Sequence, residues 1–155
     1  MFICLTSEKD SLSHTNNTPA TFTSPLPENY NLDTGRRGAW YIGLLEIHLP
    51  PLKDGKPYDC LYVHCSACET SCIGDTYRPL LATLNYRELK RNNFVRLPSV
   101  NFIPLRTQGL SELTISICDK KGDPLEELKT INSPNQTTKC TLILKWMSNI
   151  SPWRP

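Results

Sequence analysis

Ala39-Trp40-Tyr41-Ile42-Gly43-Leu44-Leu45-Glu46-Ile47-His48-Leu49, closed by Pro50-Pro51, is the stretch on which the fold turns. It is rich in aromatic and β-branched residues, the types that suit a pleated, half-buried surface. A helix is the competitor, because Leu44, Leu45 and Ile47 would share one helical face. Gly43 in the interior and a proline stop after about ten residues favour a strand instead.

Outward from this stretch, the same pattern recurs in short pieces. Upstream, residues 20–23 (ATFT) read as a strand stopped by Pro25 and Pro27, and residues 2–6 (FICLT) as another. Residues 7–18 between them are rich in Ser, Asn and Thr, which favour turns over regular ladders. Downstream, a turn on Asp54-Gly55-Lys56-Pro57 leads into residues 61–65 (LYVHC). Residues 79–84 (PLLATL) form a further apolar run, and 94–97 and 100–105 are shorter, proline-punctuated segments. In residues 113–118, Leu113, Ile115 and Ile117 fall on one face and Thr114 and Ser116 on the other, before a turn over 119–123. A polar loop over 132–138 precedes the last strand, 140–146. Short strands separated by turn signals, with no repeat and no long helical period, indicate an all-β protein. About eight antiparallel strands with uneven connections suit a single jelly-roll β-sandwich.

Composition supports one domain over residues 1–155, with core strands from about 2 to 147 and a short tail, 148–155. Thirteen prolines against seven glycines favour many short elements joined by rigid turns. The net charge is +2, from 17 basic and 15 acidic residues. The basic residues fall in pairs, Arg36-Arg37, Lys90-Arg91 and Lys120-Lys121, whereas binding nucleic acid by counterion release needs them clustered. No specific nucleic acid is expected as a partner. No stretch approaches the ~20 apolar residues of a membrane span. The apolar start, residues 1–5, is shorter than the roughly 7–15 residues of a signal-peptide core. A reducing compartment follows, in which the sequons at Asn16, Asn135 and Asn149 would go unused.

Chemistry is sought first among the cysteines. Cys60, Cys65, Cys68 and Cys72 form C-x4-C-x2-C-x3-C, with His64 beside them. Four thiolates could hold zinc, and the spacing is similar to plant-type iron–sulfur ligation. Against this, Cys60 and Cys65 lie in or beside one strand, where a five-residue spacing points them to opposite faces. Only Cys65 and Cys68 form a C-x2-C pair, so free thiols are the expectation and no metal or other cofactor is assigned. Seven cysteines, an odd number, also argue against a full disulfide framework. A cysteine nucleophile would need His14, His48 or His64 as its base; these sit in a polar loop, at a strand end and within a strand. Glu126-Glu127 falls in a solvated turn, and no nucleophile elbow, phosphate loop or zinc-protease motif occurs. No catalytic, cofactor-binding or metal residue is assigned, and the chain is expected not to be an enzyme.

Taken in order, the segments resemble a known family, the minor capsid or penton proteins of Polinton/Maverick elements and the related adintoviruses and adomaviruses. The resemblance begins with Phe2-Ile3-Cys4-Leu5-Thr6-Ser7, Asn16-Asn17-Thr18, Phe22-Thr23 and Leu26-Pro27. It continues through Trp40, Gly43, Leu44, Glu46, Ile47 and Pro50, then residues 61–65, Gly74-Asp75 and Pro79-Leu80-Leu81. It ends with Ile115, Ile117, Asp119, Gly122 and Pro124. Departures are residues 66–72, where the family has an acidic and apolar segment, and Ala82, where it has arginine. The resemblance spans residues 2–147. It implies a single jelly roll forming a homopentamer at the fivefold vertices of an icosahedral double-stranded DNA virus or virus-like element. Trimers of a double-jelly-roll major capsid protein would surround it, and a spike or fibre could attach. The implied location is the virion vertex, reached from the host nucleus or cytoplasm. The alternatives are a non-viral jelly-roll binding module and a small protein with a metal on Cys60, Cys65, Cys68 and Cys72.

Overall fold

The computed structural model describes residues 1–8, 16–26, 38–52, 58–73, 76–106, 110–131, 133 and 135–148. Expectations for His14, the 54–57 turn, Gly74-Asp75, Arg36-Arg37, Pro27, Asn149 and the tail beyond Ser148 fall outside them. In chain order the strands are β1 (Phe2–Thr6), β2 (Thr21–Pro25), β3 (Gly38–His48), β4 (Cys60–Cys65), β5 (Ser71–Ile73), β6 (Thr76–Arg78) and β7 (Leu80–Asn85). Helix α1 (Tyr86–Asn92) follows, then β8 (Phe94–Arg96), β9 (Ile103–Pro104), β10 (Glu112–Cys118), the single turn α2 (Glu126–Lys129) and β11 (Lys139–Ser148).

Two antiparallel sheets carry the molecule. One runs β1-β11-β3-β8, with β9 also on β3; the other runs β2-β10-β4-β7, and β5 and β6 form a hairpin of their own. Alternation turns one face of each sheet inward. Ile3 and Leu5 of β1, Ile42, Leu44 and Ile47 of β3, and Cys140, Leu142 and Leu144 of β11 are buried. They join Phe22, Leu61, Val63, Leu84, Leu113, Ile115 and Ile117 of the other sheet in a single apolar cluster. The half-buried face of β10 is polar, and Thr114 Oγ1 lies 2.8 Å from Thr23 Oγ1 across the ladder. Such a cross-strand hydroxyl pair is the ordinary stabiliser of a solvated sheet face.

The edge of the first sheet is built in two pieces. Strand β8 pairs with Glu46–His48 and β9 with Tyr41–Ile42 on the same edge of β3, so the residues between them must pass close against β3. They do so at Gly43, where a Cβ would stand 2.4 Å from Val100 Cγ1 and 2.9 Å from the Asn101 carbonyl oxygen. A bulge in β3 accompanies this close approach, and the Leu45 carbonyl accepts the Leu97 N–H at 2.8 Å. Gly43 is therefore the position where close backbone approach requires a missing side chain.

Several sequence expectations are corrected. Strand β2 runs through Pro25 rather than stopping before it. This is possible because β2 is an edge strand, where a proline that lacks its N–H costs no ladder bond. Of residues 100–105, only Ile103 and Pro104 pair with β3 as a strand; 100–102 form a strap packed against Gly43. Helix α1 was not expected. The Asn85 side chain accepts from the Arg87 N–H at 2.9 Å, and Asn93 closes the helix in the left-handed region at φ 53°. Glu126 is exposed as expected, but Glu127 is only 7% exposed, because α2 turns it inward beside Leu128.

Candidate functional site

The cysteine constellation is pulled apart by the strand that carries it. On β4 the side chains of Leu61, Val63 and Cys65 point into the core, which leaves Cys60, Tyr62 and His64 on the other face. Cys65 and Cys68 meet across a tight turn, closed by the Cys68 N–H donating to the Cys65 carbonyl at 3.0 Å. Both are fully buried, whereas Cys72 is exposed and Cys60 half-buried. Among the described residues no group of three or more His, Cys, Asp or Glu is placed to hold a metal ion.

None of the seven cysteines is joined in a disulfide. The hydrogen bond between the Cys65 and Cys68 side chains favours the thiolate at Cys65 and, with burial, pushes Cys68 well above the usual thiol range. Burial pushes Cys140 up strongly and Cys118 up to about 11, the latter partly offset by the Arg78 guanidinium. A thiol buried away from solvent is inert because no reagent reaches it. With a disulfide-exchange reagent on the native protein, Cys4 and Cys72 are expected to react first and Cys60 more slowly. Cys65, Cys68, Cys118 and Cys140 should react only after denaturation, with peptide mapping of the label as the check.

The histidines stand apart from these thiols in role. Burial, then the nearby Arg78, lowers the affinity of His64 for a proton and keeps the imidazole neutral at pH 7. Its Nε2 is buried without a partner. His48, at the end of β3 as the sequence suggests, stacks on Phe94 with ring centroids 4.2 Å apart. It borders a shallow depression of about 350 Å³ on the outer face of the first sheet, lined also by Cys4, Thr6, Glu46, Lys139 and Thr141. There Thr141 Oγ1 donates to Glu46 Oε1 at 3.1 Å and lies 3.9 Å from Cys4 Sγ. Glu46 thus already holds a hydrogen bond within the sheet, and the row reads as a cross-strand polar ladder.

A second depression, of about 340 Å³, opens on the flank where β7 and the β8–β9 edge lie side by side. Leu80, Leu81, Ala82 and Thr83 form one wall. Leu97, Ser99, Asn101 and Ile103 form the other, alternating with Val100 and Phe102, which face Gly43. Leu44 makes the floor and Ser71 the rim. Mostly apolar walls with a few polar groups are the usual make-up of a binding cleft. Sequence reasoning named none of these residues as a site. The signal was the alternation over 97–103, which reads equally well as a strand.

No family model, no curated protein and no solved structure matches this chain.

Proposed function

We propose that this chain is a single jelly-roll subunit that acts by assembly and not as an enzyme. Five copies would form the ring at the fivefold vertices of an icosahedral capsid, set among trimers of a double-jelly-roll major capsid protein. The observation that carries the proposal is the strand order. With the short β5, β6 and β9 set aside, the first sheet runs first, eighth, third, sixth strand and the second runs second, seventh, fourth, fifth. Successive strands thus alternate between the sheets through most of the chain, which supports the jelly-roll reading, an architecture used by capsid and lectin domains alike.

The capsid assignment over a lectin-like module rests on the sequence resemblance, and the residues that carry it occupy demanding places. Gly43 lies under the strap, Ile115 and Ile117 are fully buried, and Gly122 takes φ +81° in the turn closed by Asp119. In that turn Asp119 Oδ1 accepts the Lys121 and Asp123 N–H groups at 2.8 and 3.1 Å. No helix among the described residues is long and apolar enough to cross a membrane.

Native mass spectrometry of the full chain, beside a denatured control, tests the proposal. A dominant mass of five chains is expected. Three chains would favour a trimeric binding module, and a monomer at ~10 µM, where any contact stronger than about 7 kcal/mol would be populated, would overturn self-assembly.

A further inference from the structure

Strand β4 ends at Cys65 and the chain turns at once, because the Cys68 N–H donates to the Cys65 carbonyl at 3.0 Å. A four-residue turn of this kind brings its first and last Cα atoms within about 7 Å, and disulfides span roughly 4.4–6.8 Å between Cα atoms. The side chains converge as well: both are fully buried, and the two thiols are hydrogen-bonded to each other. Cys60 and Cys72 do not share this arrangement, since Cys60 lies on the other face of β4 and Cys72 is exposed. The turn is also a seam between the sheets. The Glu69 N–H donates to the Pro104 carbonyl at 3.0 Å, the Arg106 N–H donates to the Ala67 carbonyl at 2.8 Å, and Cys68 bridges Leu105. The Leu105 N–H in turn donates to the Trp40 carbonyl of β3 at 3.0 Å. The exit of β4 is thereby tied to the first sheet through residues 104–106.

We propose that Cys65 and Cys68 form a redox lock on this seam. Folding in an oxidising medium sets the pair as a disulfide, folding in a reducing medium sets it as a dithiol, and burial then preserves the state that was set. The chemistry is thiol–disulfide exchange with a low-molecular-weight disulfide such as oxidised glutathione. While the turn is open, the thiolate of one cysteine attacks a glutathione sulfur and expels one glutathione thiolate. The thiolate of the other attacks the protein sulfur of that mixed disulfide, forms the Cys65–Cys68 bond and expels the second glutathione. The two thiol protons pass to the expelled thiolates. The protein loses two electrons as one glutathione disulfide becomes two glutathiones. The native turn favours the bond, because the unfolded chain must bring the two sulfurs together at an entropic cost. By reciprocity the bond favours the turn by the same factor. Disulfide oxidoreductases keep a reactive C-x2-C thiol partly exposed; with both sulfurs buried, this pair holds shape and does not turn over. The inference rests on the turn and is independent of the proposed ring.

Replacing the accessible thiols (Cys4→Ser, Cys60→Ser and Cys72→Ser together) leaves the four buried cysteines, and circular dichroism checks the fold. This full-length variant is refolded from denaturant into graded mixtures of oxidised and reduced glutathione. Remaining thiols are then alkylated under denaturing conditions and the peptides mapped by mass spectrometry. A Cys65–Cys68 disulfide is expected, half-formed at an oxidant level about tenfold below that needed when the chain is kept in denaturant. Hydrogen exchange at the Glu69 and Arg106 N–H groups should slow in the oxidised protein, and dithiothreitol should reduce the bond only after denaturation. Pairing of Cys65 with Cys118 or Cys140 instead overturns the assignment. So does a bond that forms no more readily on refolding than in denaturant. Unchanged exchange at Arg106 overturns the effect on the seam, and ready reduction of the folded protein overturns the lock. Should the triple variant not fold, the same mapping on the wild-type chain decides the pairing.

Discussion

Phe22→Ala is expected to remove ~3–5 kcal/mol of stability, the usual loss for truncating a buried aromatic. The ring is 1% exposed and sits on β2, directly across the ladder from Ile115, which is fully buried in β10. Because β2 is an edge strand it has one neighbour in its sheet, so its attachment depends heavily on what its inward side chains bury. Typical domains hold only ~5–15 kcal/mol in total, so this one change consumes a large share. Denaturant unfolding would show the midpoint falling at constant slope. A loss below ~1 kcal/mol would mean that β2 does not belong to the shared core.

The second large effect is expected at Gly43. Alanine is the better strand residue by roughly 0.5–1 kcal/mol where space allows. Here its Cβ would stand 2.4 Å from Val100 Cγ1 and 2.9 Å from a backbone oxygen of Asn101. Overpacking of that kind costs ~1–3 kcal/mol, so the clash outweighs the propensity gain. Val100 can turn aside but the Asn101 carbonyl cannot, which puts the net loss for Gly43→Ala at about 2 kcal/mol. Val100→Ala in the same chain should restore part of it, with a coupling of ~0.5–3 kcal/mol in the double-mutant cycle. Equal losses with and without Val100→Ala would show that the strap is not what confines Gly43.

The contrast between these two positions shows what a sequence can and cannot reveal. Inward alternation at Leu113, Ile115 and Ile117, and the proline stop after β3, are local signals, and they located strands to within a residue or two. The role of Phe22 follows from the same alternation. Gly43 marked a strand correctly, yet the reason for the glycine lies more than fifty positions away, in a strap whose own alternation looks like another strand. Helix α1 did announce itself, through Asn85 and a glutamate three residues later, Glu88, which is a capping pattern. An apolar run ending at Leu84 masked it. The cysteines were legible as opposite-facing on β4, but the meeting of Cys65 and Cys68 depends on a turn that spacing alone does not define. The flank cleft was not legible at all, since which strands become edges is decided by pairings between distant segments.

One of those pairings sets the timing of folding. Strand β11 lies between β1 and β3, so the centre of the first sheet is missing until β11 has been made. Thr141 meets Glu46 across 95 positions of chain and Cys4 across 137. At the ~5–20 residues per second of protein synthesis, β3 waits roughly 5–20 s with its central partner absent. Sheets closed by such distant contacts also fold slowly once complete. During that interval β3 is an apolar strand with an open ladder, a template for pairing with another chain. The nascent protein is therefore at its most vulnerable just before β11 emerges, and chaperones that shield extended apolar segments should raise its yield.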